Sequence, residues 1–231
     1  MSATLPYRKL CCAHEPLLIL TSRHRPHSRQ PPQAAAEAAY REGLRYYHGS
    51  GGVARDYGRA ARLFREAADQ GHAGGEYLLG NCYDFGRGVD RDPAEAVRLY
   101  DRAAVQGHAQ AEYNLGCCYR DGAGVGQDYG RAVEIFRRAA AKGLAEAISA
   151  LGQCYRNGRG VSQDHAKAVE LYREAIAKGA TGGHAEHNLG VCFELGEGVS
   201  KDPAEAKELY RRSAAKGCEM AKEKLARPGW A

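Results

Sequence analysis

The 231-residue sequence predicts an all-α fold, an α-solenoid of five helix–turn–helix repeats followed by a C-terminal capping helix. Two observations lead to this prediction. One short motif recurs five times at nearly constant spacing, and each copy carries its own signals for where two helices begin and end. Recurrence with a period of roughly 20–50 residues is the sequence signature of a repeat array, in which stacked units bury a continuous core.

The recurring motif is clearest in the third copy, LGCCYRDGAGV, at residues 115–125. Related stretches read LGNCYDFGRGV, LGQCYRNGRGV and LGVCFELGEGV, and a looser first copy reads EGLRYYHGSGGV. The valines that end the five copies are spaced by 36, 36, 36 and 38 residues: Val53, Val89, Val125, Val161 and Val199. The junction before the fifth copy, GATGGHAEHNLG, is therefore two residues longer than the others.

The segment before each glycine-rich turn predicts the first helix of a repeat. In the third copy Ala111, Leu115 and Tyr119 recur at the spacing of one helix face. The paired glycines that follow end the helix, because glycine tolerates positive φ and weakens helix interiors. A phosphate-binding loop is not indicated, since such a loop follows a strand, whereas this pair follows a helix and occurs in every copy.

The second helix of each repeat has its own start and stop signals. An aspartate stands at each predicted N-cap: Asp56, Asp92, Asp128, Asp164 and Asp202. In the second and fifth copies the aspartate is followed by Pro-Ala-Glu, which predicts proline at the first helical position and a glutamate that completes a capping box. A glycine stands at each predicted C-terminal stop: Gly71, Gly107, Gly143, Gly179 and Gly217. Alanines would let adjacent helices approach closely: Ala60, Ala96, Ala132, Ala168 and Ala206.

These signals define the domain boundaries that we expect. The solenoid covers residues 34–226, with repeats at 36–72, 73–108, 109–144, 145–180 and 183–218 and a cap at 219–226. Residues 1–33 are expected to form a disordered basic tail, with a mitochondrial or plastid transit peptide as the alternative interpretation. Residues 227–231 form a C-terminal tail.

The net charge of +5 lies mainly in the first 33 residues, which hold five basic groups and one acidic group. The other 198 residues hold 28 basic and 27 acidic groups, so they give no electrostatic argument for a nucleic-acid partner. No apolar run approaches the roughly 18 residues of a membrane-spanning helix. The sequence therefore predicts neither nucleic-acid binding nor membrane insertion, and it leaves the oligomeric state open.

Four of the eight cysteines occupy one position of the repeat: Cys82, Cys118, Cys154 and Cys192. We interpret them as small buried hydrophobic residues. Equivalent Cα atoms of stacked repeats lie about 10 Å apart, beyond the roughly 7 Å that a disulfide spans. Cys117 lies one residue off this position and is predicted to face outward, where its thiol would be open to reaction.

A metal site at His184 and His187 is an alternative hypothesis, because the two histidines are three residues apart beside the lengthened junction. A site would need at least a third ligand, and the sequence offers no evident one. We therefore interpret the pair as a polar helix start and expect neither a metal nor another cofactor. The sequence also shows no serine–histidine–acid set or paired-carboxylate cleft.

The unit A-x-x-x-L-G-x-x-Y-x-x-G-x-G-V-x-x-D-x-x-x-A, followed by an aromatic residue, A-A and a glycine, resembles the Sel-one-like repeat, a subclass of the tetratricopeptide-like helical repeats. The resemblance covers about residues 34–226. It implies a right-handed superhelix of antiparallel helix pairs and a role as an adaptor or scaffold for protein complexes. The first copy departs from the pattern, since Glu42 replaces the leucine.

A cysteine-rich bacterial branch of this family is secreted, ties the two helices of each repeat together with a disulfide, and includes members linked to penicillin binding and hydrolysis. Its second cysteine lies three residues before the terminal glycine. Here those positions hold other residues: Ala68, Ala104, Ala140, Ile176 and Ala214. We therefore expect reduced thiols, a cytoplasmic location and no enzymatic activity, with a hydrolase of that branch as the alternative.

The resemblance also implies that the first helix of each pair lines a concave groove that binds a peptide or protein partner. Tyrosines would give contact area, amides would hold a peptide backbone, and arginines would take carboxylates. The predicted groove residues are Tyr40, Tyr47, Tyr77, Asn81, Tyr113, Asn114, Arg120, Gln153, Arg156 and Asn188.

Overall fold

The structure, a computed structural model, describes residues 32–227 and 229–230. Over these residues it contains eleven α-helices and no strand. The helices are α1 (Pro32–His48), α2 (Tyr57–Asp69), α3 (Ala73–Phe85), α4 (Pro93–Val105), α5 (Ala109–Asp121), α6 (Tyr129–Ala141), α7 (Ala145–Asn157), α8 (His165–Ala177), α9 (His184–Leu195), α10 (Pro203–Ala215) and α11 (Glu219–Leu225).

Consecutive helices pack in pairs, and each pair packs on the next. The pairs α1–α2 to α9–α10 are the five predicted repeats, and α11 packs against α10 at the C-terminal end. The predicted all-α solenoid is confirmed. Helix α1 begins at Pro32, inside the segment predicted as a tail; the rest of that segment lies outside the described residues.

The aspartate N-caps of the second helices are confirmed in all five repeats. The predicted capping box is wrong. The Asp92 backbone N–H donates to the Tyr83 carbonyl at 3.0 Å, so it has no need of the Glu95 side chain. Glu95 instead forms an ion pair with Arg98. In the fifth repeat a carbonyl of the first helix likewise takes the Asp202 N–H.

From the second repeat onward, the two glycines of each inter-helix turn have different roles. The first, such as Gly122, ends the first helix in the left-handed conformation at φ 72°. The second, such as Gly124, also has φ 72°, but it lies against the preceding repeat. A Cβ atom at Gly124 would lie 2.2 Å from the Pro93 carbonyl oxygen, and the equivalent position Gly88 has the same relation to Tyr57. The second glycine therefore allows close backbone contact between neighbouring repeats.

One aromatic side chain from each second helix fills the core of its repeat: Phe64, Tyr100, Phe136, Tyr172 and Tyr210, all fully buried. Each ring lies over the glycine of the Leu-Gly or Glu-Gly pair on the first helix. A Cβ atom at Gly116, for example, would lie 2.6 Å from the Phe136 ring. The predicted alanine positions are also fully buried, at 0% exposure: Ala60, Ala96, Ala132, Ala168 and Ala206.

Buried glutamates connect the helices of three repeats, namely Glu76, Glu112 and Glu186, each at most 2% exposed. In the third repeat the Lys142 ammonium lies 2.7 Å from Glu112 and 3.1 Å from the Gly107 carbonyl oxygen, at the end of the preceding repeat. The cation therefore bridges its own first helix to the neighbouring repeat. The fourth repeat lacks this link, because Ile148 stands where these three repeats have glutamate.

Candidate binding cavity along the first helices

A cavity of about 440 Å³ opens along the first helices of the third, fourth and fifth repeats. Helix α5 contributes Tyr113 and Arg120, α7 contributes Gln153, and α9 contributes Asn188. Met220 of the capping helix lines the same cavity from its C-terminal side. Four of the ten predicted groove residues therefore lie around one space, whereas the sequence alone did not distinguish them from the other six.

Two of the other predicted residues bond to one another at the junction of the second and third repeats. The Tyr100 hydroxyl donates to Asn81 Oδ1 at 2.7 Å, and Asn114 Nδ2 donates to the same oxygen at 3.0 Å. Asn81 is 9% exposed. We call these three residues the closed triad. Its two asparagines are already engaged inside the protein, and Asn114 also lines a smaller neighbouring cleft of about 260 Å³.

The predicted tyrosines of the first two repeats contact neighbouring side chains at the repeat junctions. The Tyr40 ring lies 4.5 Å from the His72 ring, and Tyr77 stacks on His108 at 4.7 Å. Tyr47 accepts a hydrogen bond from the Arg87 guanidinium. These three tyrosines lie outside the 440 Å³ cavity.

Both predicted arginines hold a carboxylate of this chain. Arg120 forms a two-point contact with Asp121, with distances of 2.8 and 2.7 Å. That contact holds the pKa of Asp121 below its ordinary value. Arg156 Nε lies 2.6 Å from Glu197, in the turn of the next repeat. A partner carboxylate would therefore compete with an internal one at either arginine.

The amides of Gln153 and Asn188 differ from these arginines. Across the residues that the structure describes, neither side chain has a hydrogen-bond partner. Both line the cavity and both are half-buried. Each carboxamide has two N–H donors and an accepting oxygen, so the cavity holds unused groups of both kinds.

The metal hypothesis gains no third ligand from the structure. His184 lines the cavity, and its Nδ1 lies 3.9 Å from Cys218 Sγ. The His187 ring packs on Tyr210 at 5.4 Å. No group of three or more histidine, cysteine, aspartate or glutamate side chains could hold a metal within the described part of the chain.

The cysteines of the described segment are free thiols: Cys82, Cys117, Cys118, Cys154, Cys192 and Cys218. The four equivalent cysteines are buried, as predicted. The expectation of an outward-facing, reactive Cys117 is wrong. Cys117 is only partly exposed and packs against the core, and burial raises the pKa of its thiol, which lowers the thiolate fraction that reacts.

The buried thiols predict a loss of stability at alkaline pH. Burial raises the pKa of Cys82 and Cys192 to about 11 and that of Cys118 to about 12. Below roughly pH 8.5 both states keep these protons, but above it the unfolded chain releases protons that the folded chain retains. Each thiol then lowers the free energy of unfolding by at most about 1.4 kcal/mol per pH unit. Urea denaturation in reducing buffer at pH 8, 9 and 10 measures this slope.

The matched variant carries Cys82→Ala, Cys118→Ala and Cys192→Ala. We expect a lower starting stability but a shallower fall between pH 8.5 and 10. Tyrosines also begin to titrate near pH 10, but they are the same in both proteins, so their effect cancels in the comparison. Parallel curves for variant and wild type would show that the thiols are not the cause.

A family model described as Sel1 repeat matches residues 36–72, 73–108, 109–144, 145–179 and 183–218. Among solved structures, a Sel1 repeat protein from Oxalobacter formigenes is 33% identical with a TM-score of 0.77, and the match covers 85% of this chain and 78% of that one. No curated protein sequence matches the chain.

Two further solved structures have more specific descriptions. The protein c5321, a protective antigen of uropathogenic Escherichia coli strains, is 37% identical with a TM-score of 0.71 over 83% of this chain. The match covers only 40% of the antigen, so this chain spans less than half of its length. The immunity protein Pa5087 from Pseudomonas aeruginosa is 25% identical with a TM-score of 0.55, over 83% of this chain and 70% of that one. No helix of the described chain is long and apolar enough to cross a membrane.

Proposed function

The chain belongs to the Sel1 repeat family, and on that premise we propose that it is a non-catalytic adaptor that binds a peptide segment of a protein partner in the cavity along its first helices. Sel1 repeat proteins are generally scaffolds for protein interactions. The observation that supports the site is the 440 Å³ cavity, into which three repeats each bring polar side chains from their first helix. A surface built from several repeats suits an extended ligand better than a small one.

The chemistry of the cavity favours recognition of polar groups without a strong charge preference. Arg120 and Asp121 neutralise each other at the rim. Burial opposes the ionisation of Glu146, but hydrogen bonds from Thr181 and from the Glu146 backbone together hold the pKa of that carboxyl below its ordinary value. The amides of Gln153 and Asn188 remain available. The partner segment that we propose is therefore held mainly by hydrogen bonds and by contacts with Tyr113.

The proposal includes a cytoplasmic location and excludes the hydrolase of the cysteine-rich branch. The support for both is the same. The positions of the second cysteines hold alanine or isoleucine, and the four equivalent cysteines are free thiols, each buried in a different repeat. A thiol titration of the freshly purified, denatured and non-reduced chain tests this part: eight free thiols fit the proposal, whereas several disulfides would revive the secreted hydrolase.

The partner site is tested by a double variant, Gln153→Ala with Asn188→Ala. Neither side chain has a bond within the protein to lose, so the helical circular-dichroism signal and the thermal midpoint should stay close to those of the wild type. We expect co-purification of the native partner to fall by at least about tenfold, since two hydrogen bonds at about 1 kcal/mol each are lost.

The matched control is Asp101→Ala with Glu134→Ala. Both side chains are exposed on second helices, outside the cavity. Quantitative mass spectrometry of the three baits then compares recovery of the same partner. Equal recovery of the partner by the cavity variant and the wild type would refute the cavity as the site. If the control variant alone lost the partner, the binding site would lie on the second helices.

A further inference from the structure

The closed triad has an open counterpart at the junction of the fourth and fifth repeats. Tyr100 follows Asn81 by 19 residues, and Tyr172 follows Gln153 by the same 19 residues. Asn114 belongs to the next repeat, where Asn188 is its equivalent. The three positions are thus Tyr–Asn–Asn in one junction and Tyr–Gln–Asn in the other. In the second set none of the three side chains bonds to another.

The difference between the two junctions leaves the buried Tyr172 hydroxyl without a hydrogen-bond partner. The residue is 0% exposed, and its hydroxyl has no hydrogen-bond partner. Burying a hydroxyl without a partner costs about 1–3 kcal/mol, and such groups call for an explanation. Packing does not require the hydroxyl, because Phe64 and Phe136 fill the same core position in the first and third repeats.

Elsewhere in the described solenoid, the tyrosines at this core position have a bonded hydroxyl. Tyr100 donates to Asn81, and Tyr210 donates to Glu194 Oε2 at 2.6 Å. The third repeat has Cys117 and Arg120 where the second has Asn81 and Asp84, and its core position holds phenylalanine. Tyr172 follows the polar pattern, with Gln153 beside it, but its expected acceptor is missing.

Three features of the sequence distinguish this triad from the closed one. Arg156 stands where the second repeat has Asp84, whose carboxylate lies 3.4 Å from the Tyr100 hydroxyl. Glutamine has one methylene more than asparagine, so the Gln153 amide lies further from its backbone. Asn188 follows Gln153 by 35 residues, whereas Asn114 follows Asn81 by 33, because the junction before α9 is lengthened. Both amides lie instead on the wall of the 440 Å³ cavity. A Cβ atom at Gly152 would lie 2.8 Å from the Tyr172 ring, so the phenol lies directly beneath the helix turn that carries Gln153.

From this comparison we propose that Tyr172, Gln153 and Asn188 form a subsite for a carboxamide side chain, the asparagine or glutamine of a partner peptide. The ligand oxygen takes the place of Asn81 Oδ1 and accepts hydrogen bonds from the Tyr172 hydroxyl and the Asn188 amide. The ligand NH₂ group donates to the Gln153 oxygen. Since Gln153 is half-buried and held by no hydrogen bond, it moves aside as the carboxamide enters.

The subsite rests on the proposed function and makes it more specific, because it names a side chain that the partner must carry. A methyl group in place of the carboxamide accepts no bond from Tyr172 or Asn188 and offers no N–H to Gln153. The subsite therefore selects glutamine or asparagine over leucine at one position of the bound peptide.

The test uses the full chain and two matched variants, Tyr172→Phe and Tyr100→Phe. Without ligand, Tyr172→Phe should leave the thermal midpoint unchanged or raise it, because it removes a hydroxyl that has no partner. Tyr100→Phe should lower the midpoint, because it leaves Asn81 with one bond fewer. A drop of the same size for Tyr172→Phe would show that the hydroxyl has an internal partner, which would overturn the proposal.

The binding measurement uses N-acetyl-Ala-Gln-Ala-amide as the probe, titrated to millimolar concentration and followed by the side-chain amide resonances of Gln153 and Asn188. We expect saturable shifts with the wild type and with Tyr100→Phe, and an affinity roughly fivefold weaker with Tyr172→Phe, for one lost hydrogen bond. The Ala-Leu-Ala probe, which has the same backbone but a side chain that makes no hydrogen bond, should bind more weakly. Equal binding of the two probes, equal affinity of the two variants, or no saturable shift would refute the subsite.

The two proposals can fail separately. If the native partner is lost with Gln153→Ala and Asn188→Ala but retained in full with Tyr172→Phe, the cavity is the partner site and the carboxamide subsite is wrong. If the partner is retained by the cavity variant as well, the proposed function itself fails.

Discussion

Replacing Gly124 with alanine is expected to lower the free energy of unfolding by about 3 kcal/mol. Two causes add up: backbone strain at positive φ and steric overlap of the new Cβ atom with the preceding repeat. Gly124 has φ 72°, where an L-residue is strained by about 1–2 kcal/mol. In addition its Cβ would lie 2.2 Å from the Pro93 carbonyl oxygen and 2.7 Å from the Ala94 nitrogen. Since these are backbone atoms at the start of α4, they cannot turn away as a flexible side chain would. Urea denaturation followed by circular dichroism measures the loss.

Two glycines of the same turn separate the two causes. Gly122 has the same φ of 72°, but its Cβ would come no closer than 3.3 Å to Gln127, whose backbone nitrogen lies at an ordinary contact distance of 3.6 Å. Gly122→Ala should therefore cost about 1 kcal/mol, for the backbone conformation alone. Gly126 has neither positive φ nor any atom within 4 Å of its Cβ, so Gly126→Ala should change stability by less than about 0.5 kcal/mol. Equal losses at Gly122 and Gly124 would show that the contact between repeats adds nothing.

This turn shows how far the sequence predicts the fold. The recurring glycines were correctly predicted to break the helix, because the conformational freedom of glycine is a local property that a pattern reveals. The need for Gly124 to admit the backbone of the preceding repeat is not local. It depends on how neighbouring repeats stack, and a single-repeat pattern contains no information on that distance.

The same limit applies to the helix starts. The aspartate N-caps of the second helices were predicted, since aspartate is a strong capping residue. The first helices of the second and third repeats begin differently. His72 Nδ1 accepts from the Gly75 N–H at 3.0 Å, and His108 accepts from Ala111 at 3.2 Å. Histidine is an uncommon cap, so propensity did not indicate it. Its recurrence directly after the terminal glycine was the signal available.

In the candidate site, the sequence correctly predicted that the first helices line the cavity. It was less successful in predicting which of their side chains are free to bind a ligand. Arg120, Arg156 and Asn81 matched the chemistry of peptide binding, yet each already has a partner in this chain. Gln153 and Asn188 have no partner in the described chain, whereas the equivalent Asn81 and Asn114 bond to one another, and this difference appears only when the junctions are compared in three dimensions. That the groove residues bind a partner remains a prediction.

The second large effect is expected at Glu186, the most deeply buried of the linking glutamates, at 0% exposure. Its Oε1 lies 2.5 Å from the Lys216 ammonium, while Oε2 has no hydrogen-bond partner. Lys216→Met removes the counter-charge and leaves an uncompensated carboxylate in the core. Breaking a buried pair from one side typically costs about 3–5 kcal/mol, and because Lys216 is 39% exposed we expect about 2–3 kcal/mol.

The chain itself suggests the variant that should recover this loss. At the position of Glu186 the fourth repeat has Ile148, which is 1% exposed, so the core tolerates a branched aliphatic side chain there. Glu186→Ile combined with Lys216→Met should return the free energy of unfolding to within about 1 kcal/mol of the wild type, since apolar replacement of a whole buried pair is often neutral. Lys222→Met, at an exposed pair with Glu219, should cost less than about 0.5 kcal/mol.

The three variants together decide what the buried glutamates do. If Lys216→Met costs no more than Lys222→Met, the pair contributes as little as a surface ion pair, and water solvates Glu186 without its partner. If the double variant stays as unstable as Lys216→Met, the loss comes from the bond between the Lys216 ammonium and the Ala180 carbonyl oxygen, 3.0 Å apart, at the end of the fourth repeat. Recovery by the double variant alone would assign the loss to the uncompensated charge, because that variant also lacks the Ala180 bond.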